Sequence, residues 1–183
     1  MALSFRGIGI AALAALSAAC GLVAPAALCA ITFTVNSTAD IIDANLGDGL
    51  CAAVGGGCTL RAAVMQANVA GGVGATIVLP AGTYFLVIPV QGSDGDFEGD
   101  LNLKTPASGN PVIQIVGAGA ATTFIDPDGL SRAFDVATGR TASIAGVTIR
   151  NGYLASGDGG GIRSAGTLSL SNSVVSGNTA FVG

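Results

Sequence analysis

The 183 residues are long enough for one domain with a genuine core. With 50% hydrophobic residues they are too apolar for disorder, and the 29 glycines follow no three-residue period, which excludes collagen. Seven basic residues against 11 acidic ones, the basic ones scattered singly, leave no clustered Lys or Arg to grip phosphate, so nucleic acid is excluded as a partner.

Residues 1–30 read as a signal peptide. Arg6 gives the positive start, Ile8 to Val23 form an Ala-rich apolar stretch, and small residues follow, with a cut expected after Ala30 or slightly earlier. A lipid anchor on Cys20 is disfavoured because Ser17 stands where a lipobox prefers Leu. Contact with a membrane is expected only through this leader or through a C-terminal anchor beyond the sequence. Cleavage removes Cys20 and Cys29 and leaves Cys51 and Cys58, an isolated pair that an oxidising compartment would join. Zinc is disfavoured, because no His and no further Cys exist to complete four ligands.

Residues 31–75 read as an N-terminal capping module. Ile31 to Val35 alternates apolar and polar residues as a strand does, and a turn-rich stretch with Asp40, Asp43, Asn45 and Asp48 follows. Thr59 is placed to cap a helix in which Leu60, Ala63, Val64 and Ala67 form the apolar face. Arg61, Gln66 and Asn68 then fall on the polar side, and Arg61 and Gln66 are expected in solvent.

Residues 76–183 change pattern. Short apolar runs are punctuated by Gly, Pro, Asn and Asp: 76–79, 83–88, 101–103, 112–116, 122–125 and 133–136, with no second helix. Residues 142–152 then align with 168–178 at a constant offset of 26, setting Ile144 opposite Leu170 and Ile149 opposite Val175. A period in this range signals a solenoid, and about three short strands per repeat fit one coil of a three-sided parallel β-helix. Stacking would put like side chains about 4.8 Å apart in continuous rows. The expected fold is thus all-β, a right-handed parallel β-helix with the helix of the first module closing its first coil. The series stops at Gly183, just after 178–180, where another coil is expected, so a truncated chain is expected.

Three segments carry a family resemblance: 33–38 with Asp43, 47–49 and Cys51; Cys58-Thr-Leu-Arg-Ala-Ala63 with 66–68; and Leu79-Pro-Ala-Gly-Thr-Tyr84. Together they resemble the N-terminal module of exported bacterial CSLREA-domain proteins, from whose Cys-Ser-Leu-Arg-Glu-Ala motif this chain departs at Thr59 and Ala62. Residues 146–152, 159–162 and 176–180 are similar to the right-handed β-helix repeats that follow that module. The resemblance implies a secreted or outer-surface protein with a pectate-lyase-like fold, which hosts lyases, hydrolases, adhesins and passive stalks.

With no His, a Ser-His-Asp or Cys-His set is impossible, and no Gly-rich phosphate loop precedes a helix, which excludes nucleotide. The enzymatic candidates are Asp126, Asp128 and Arg132, with Asp135 nearby, as carboxylates and cation for cleaving a polysaccharide. The competing explanation is a coil corner, where Asp favours turns. Asp94, Asp96, Glu98 and Asp100 crowd one loop that calcium would neutralise, although no EF-hand pattern is present. No cofactor is otherwise required. No convergent catalytic set outweighs its turn explanation, so an adhesion-like or scaffold role is expected, toward a polysaccharide or a cell-surface ligand. The alternative is a lyase or glycoside hydrolase with its catalytic coils beyond Gly183.

Overall fold

The computed structural model describes residues 30–70, 72–90 and 97–181. The leader with Cys20 and Cys29 lies outside the described residues, as do Asp94 and Asp96 of the acidic loop.

The regular structure of the described chain is mostly short strands in parallel sheets, with one helix. In order the elements are β1 (Ile31–Thr34), α1 (Leu60–Val69), β2 (Ala75–Leu79), β3 (Gly82–Phe85), β4 (Leu101–Leu103), β5 (Val112–Gly117), β6 (Thr123–Asp126), β7 (Phe134–Val136), β8 (Thr141–Ala145), β9 (Thr148–Arg150), β10 (Tyr153–Leu154), β11 (Ile162–Ser164), β12 (Thr167–Ser171), β13 (Val174–Ser176) and β14 (Thr179–Ala180). The strands sort into four sheets, ordered β1-β2-β5-β8-β12, β3-β6-β9-β13, β4-β7-β11 and β10-β14. Every ladder is parallel.

Register explains the core. In the five-stranded sheet Ile77, Ile115, Ile144 and Leu170 stand in one row, and Ala75, Ile113, Ala142 and Leu168 in the next. In the second sheet Tyr84, Ile125, Ile149 and Val175 form a third row. The first three members of each row are buried in one apolar cluster, because alternation along each strand turns them to the same side. Both pairings expected from the 26-residue offset, Ile144 with Leu170 and Ile149 with Val175, are present. Earlier intervals are longer: Ile31 pairs with Ala75, Ala75 with Ile113 and Ile113 with Ala142. The first of them holds the helix.

Where corners meet, glycine is obligatory. A Cβ on Gly117 would run into Gly146 O and Val147 Cγ1, and Gly146 itself has φ +66°.

Helix α1 begins as expected. Thr59 is extended, its Oγ1 accepts from Ala62 N at 3.1 Å, and its hydroxyl donates to Ile41 O at 2.6 Å. Leu60, Ala63, Val64 and Ala67 join the core, with α1 lying against β2 and β4. The expectation that Arg61 and Gln66 face solvent is wrong: each is 1% exposed. The segment between β1 and α1 folds over that side of the helix and supplies polar partners for both, so α1 is covered on its apolar and its polar faces.

Candidate functional site

Four polar clusters are built on this frame. In the first, Asp40 and Arg61 form an ion pair with both side chains wholly buried. Arg61 Nε donates to Asp40 Oδ1 at 2.6 Å and Nη2 to Asp40 Oδ2 at 3.1 Å and to Gly99 O at 2.8 Å. Asp40 Oδ2 also accepts from the amides of Val87 and Ile88 at 2.8 and 3.0 Å. One carboxylate thus joins the turn-rich segment, the helix and the chain leaving β3.

In the second, Gln66 Nε2 donates to Asp43 Oδ1, Asn45 O and Asp48 Oδ1 at 2.9–3.1 Å. Asp43 also accepts from the amides of Asn45 and Ala52, and Asp48 from that of Leu50. These carboxylates hold a loop in place through N–H groups. The Cys51–Cys58 disulfide closes the same loop, and Asn36 Oδ1 accepts from Cys58 N at 2.7 Å.

The third is centred on Asp126, at the end of β6 and 2% exposed. It accepts from Asp128 N at 3.0 Å, Arg150 Nε at 3.0 Å and Asn151 Nδ2 at 2.8 Å. The Arg150 guanidinium also lies 4.5 Å over the Phe124 ring. Asp128 is exposed at φ +53°, a turn residue whose backbone makes the contact.

The fourth spans β4, β7 and β11. Register places Asn102, Asp135 and Arg163 in one row on the side of that sheet opposite the buried Phe134 and Val136. Arg163 Nη1 donates to Asp135 Oδ2 at 2.8 Å, and that carboxylate holds the guanidinium above its ordinary pKa. Arg132 Nε pairs with Asp100, its Nη2 lies 3.9 Å from Asp135 Oδ2, and its Nη1 donates to Asp158 O at 2.9 Å.

The candidates Asp126, Asp128 and Arg132 therefore divide between two clusters. Asp126 and Asp128 meet each other, while Arg132 joins Asp100 and Asp135. Arg163 was not among the sequence candidates; only the register with β7 reveals its place. Of the acidic loop, Asp100 is engaged by Arg132 and is 2% exposed. Among the described residues, no three His, Cys, Asp or Glu side chains gather as a metal site would need.

A cavity of about 280 Å³ opens elsewhere, between β1 and the end of α1, lined by Ile31, Phe33, Asp48, Gln66 and Val69. A smaller one of about 50 Å³ touches Arg140. That guanidinium is buried, donates to Lys104 O at 2.5 Å and Pro111 O at 3.1 Å, and burial lowers its pKa. Neither cavity is lined by Asp126, Asp128, Arg132 or Asp135. Among the described residues no helix is long and apolar enough to cross a membrane. Comparison of the chain with protein-family models, curated proteins and solved structures gives no match.

Proposed function

We propose that the protein is an exported right-handed parallel β-helix of the CSLREA-domain kind, acting at the bacterial surface or outside the cell as a rigid scaffold with an adhesion-like role. In this reading the three larger sheets are the faces of one solenoid, residues 31–75 form its cap and residues 76–183 belong to its coils. The observation that carries the reading is the use made of the ionised side chains. Asp126–Arg150, Asp135–Arg163 and Arg132–Asp100 each join residues 24 to 32 positions apart, and so tie one coil to another. Rows of apolar residues and ties between coils favour stiffness along the stack, which suits holding a distal surface away from a cell. Its partner would be a polysaccharide or a ligand on another cell.

One observation favours a polysaccharide lyase or glycoside hydrolase as the second reading. Asp100, Asp135, Arg132 and Arg163 gather on one side of β4, β7 and β11, which puts carboxylates and cations within reach of a common ligand.

The two readings separate in one experiment. The full gene product is recovered from the growth medium and cell surface, its intact mass is measured with and without reductant, and it is incubated with a panel of polysaccharides. The scaffold reading expects a chain shortened by about the leader, lighter by two hydrogens before reduction, that releases no oligosaccharide. Unsaturated or reducing sugars in the supernatant would overturn it in favour of the enzyme, and recovery only from the cytoplasm would sink both.

A further inference from the structure

Five arginines lie among the described residues, and four of them meet a carboxylate: Arg61 with Asp40, Arg132 with Asp100, Arg150 with Asp126 and Arg163 with Asp135. Arg140 is the exception. It is 1% exposed, yet its hydrogen bonds go only to the uncharged carbonyls of Lys104 and Pro111. A cation taken out of water without a counter-ion is strongly destabilising. Burial lowers the pKa of this guanidinium, whereas the carboxylate of Asp135 raises that of Arg163. The difference is hydration that is lost and not replaced.

A guanidinium carries five N–H donors, and here the two carbonyls take one from Nε and one from Nη1. Nη2 donates to nothing among the described residues, and it is not sealed in by them. What Arg140 lines is the cavity of about 50 Å³ between the end of α1 and the segment joining β4 to β5. Helix α1 gives Ala67, Asn68 and Val69 to its wall, and the segment gives Pro106, Ala107 and Pro111. No carboxylate among the described residues lines it. Asn68, the one polar side chain there besides Arg140, is already engaged, donating to Asn102 O and accepting from Lys104 N.

We infer that this cavity is a binding site for a small monovalent anion, with Arg140 Nη2 as its donor. Size and charge both narrow the ligand. One water needs roughly 10–15 Å³ of such space, so the cavity has room for a chloride and excludes a sugar acid or a nucleotide. Helix α1 ends beside it with no basic residue in its last turn, and a helix C-terminus carries about half a negative charge. That offsets part of the guanidinium and leaves less than one positive charge to balance, which disfavours a dianion such as sulfate. The bound ion supports the clamp by which Arg140, just ahead of β8, holds both ends of the segment between β4 and β5.

Chloride is the probe. Thermal melts of the full chain are recorded across a chloride series, with gluconate keeping the ionic strength constant; gluconate has the same charge and is too large to enter. The melting temperature is expected to rise by roughly 3–6 °C for each tenfold of chloride above the dissociation constant, as for a ligand of the folded state alone. The chloride NMR signal is expected to broaden with folded protein and to sharpen when the protein is unfolded in urea. Arg140→Met is expected to abolish both responses, and Arg163→Met, at a half-exposed side chain already paired with Asp135, to keep them. Circular dichroism shows whether each variant has folded. Where Arg140→Met fails to fold, Ala107→Leu decides instead: it keeps Arg140, takes up cavity space and is expected to lose the chloride response. Flat melts with no broadening in the wild type overturn the inference, since water alone then meets Arg140. A response that survives in Arg140→Met or Ala107→Leu overturns it too, because the anion then binds elsewhere.

Discussion

Removing the Asp40 carboxylate tests most sharply the account of how the segment between β1 and α1 is held. In Asp40→Ala the Arg61 guanidinium stays buried without its counter-ion, keeping only Gly99 O, and the amides of Val87 and Ile88 lose their acceptor. Arg61 Nη1 already lacks a partner, so no spare hydrogen bond cushions the loss. Both side chains are fully buried, so solvent screening offers little relief, and breaking such a pair costs about 3–5 kcal/mol. At about 2–4 °C per kcal/mol for a domain of this size, the melting temperature should fall by roughly 6–20 °C. Thermal melts by circular dichroism measure this, and hydrogen exchange at Val87 and Ile88 should accelerate ahead of exchange at Ile115. Asp40→Asn with Arg61→Met, which removes both charges and keeps an acceptor for the two amides, should lose less than Asp40→Ala. A fall of under about 1 kcal/mol in Asp40→Ala would refute the reasoning, since that is the scale of a solvated surface pair.

Three further outcomes follow from the same geometry. Reducing the Cys51–Cys58 disulfide, or replacing both cysteines by Ser, should lower stability by about 2 kcal/mol, the loop-closure value for a seven-residue separation, measured by urea melts with and without reductant. Neighbours on β5 should differ: Ile115→Ala, at a side chain with no exposure, should cost about 2–5 kcal/mol. Val116→Ala, at 38% exposure, should cost under about 0.5 kcal/mol in the same melts. Tyr84 is buried with its hydroxyl donating to Pro80 O at 2.9 Å, and burial raises its pKa above the usual 10.0. The unfolded chain ionises first, so the stability this residue contributes is complete below pH 10 and is lost as pH rises through the folded value. Urea midpoints should decline above pH 10, and less steeply in Tyr84→Phe.

The legible parts of the fold were those written in local periodicity. Strands β2, β5 and β8 alternate buried and outward residues, and the constant offset late in the chain set the pairing of β8 with β12 and β9 with β13 residue for residue. The same reasoning could not register the earlier strands, because segments of different length separate them and no fixed offset exists to find. Strands β10 and β14, two residues each, carry no period at all. Helix α1 was legible as a helix from Thr59 and its apolar face. Its polar face was misread because Arg61 and Gln66 are satisfied by residues 18 to 38 positions away, a distance at which a local pattern is silent. The candidate site failed in the same way. Asp126 and Arg132 are close in sequence, but Asp126 ends β6 while Arg132 lies just ahead of β7, which belongs to a different sheet, and Asp135 meets Arg163 only across a ladder.

Those ladders also decide how the ionised groups should be understood. In the parallel stack an outward carboxylate has a fixed neighbour on the next strand, and at three places that neighbourhood supplies an arginine or a side-chain amide. Asp126 is nearly inaccessible because Arg150 and Asn151 lie on it, and Asp135 shares one oxygen between Arg163 and the more distant Arg132. A general acid needs a proton to lend and a path to its substrate. A carboxylate covered by its hydrogen-bonding partners has no such path. The arrangement suits a group that must stay put, which is what joining neighbouring strands requires. Catalysis on this frame would have to begin by opening one of those pairs.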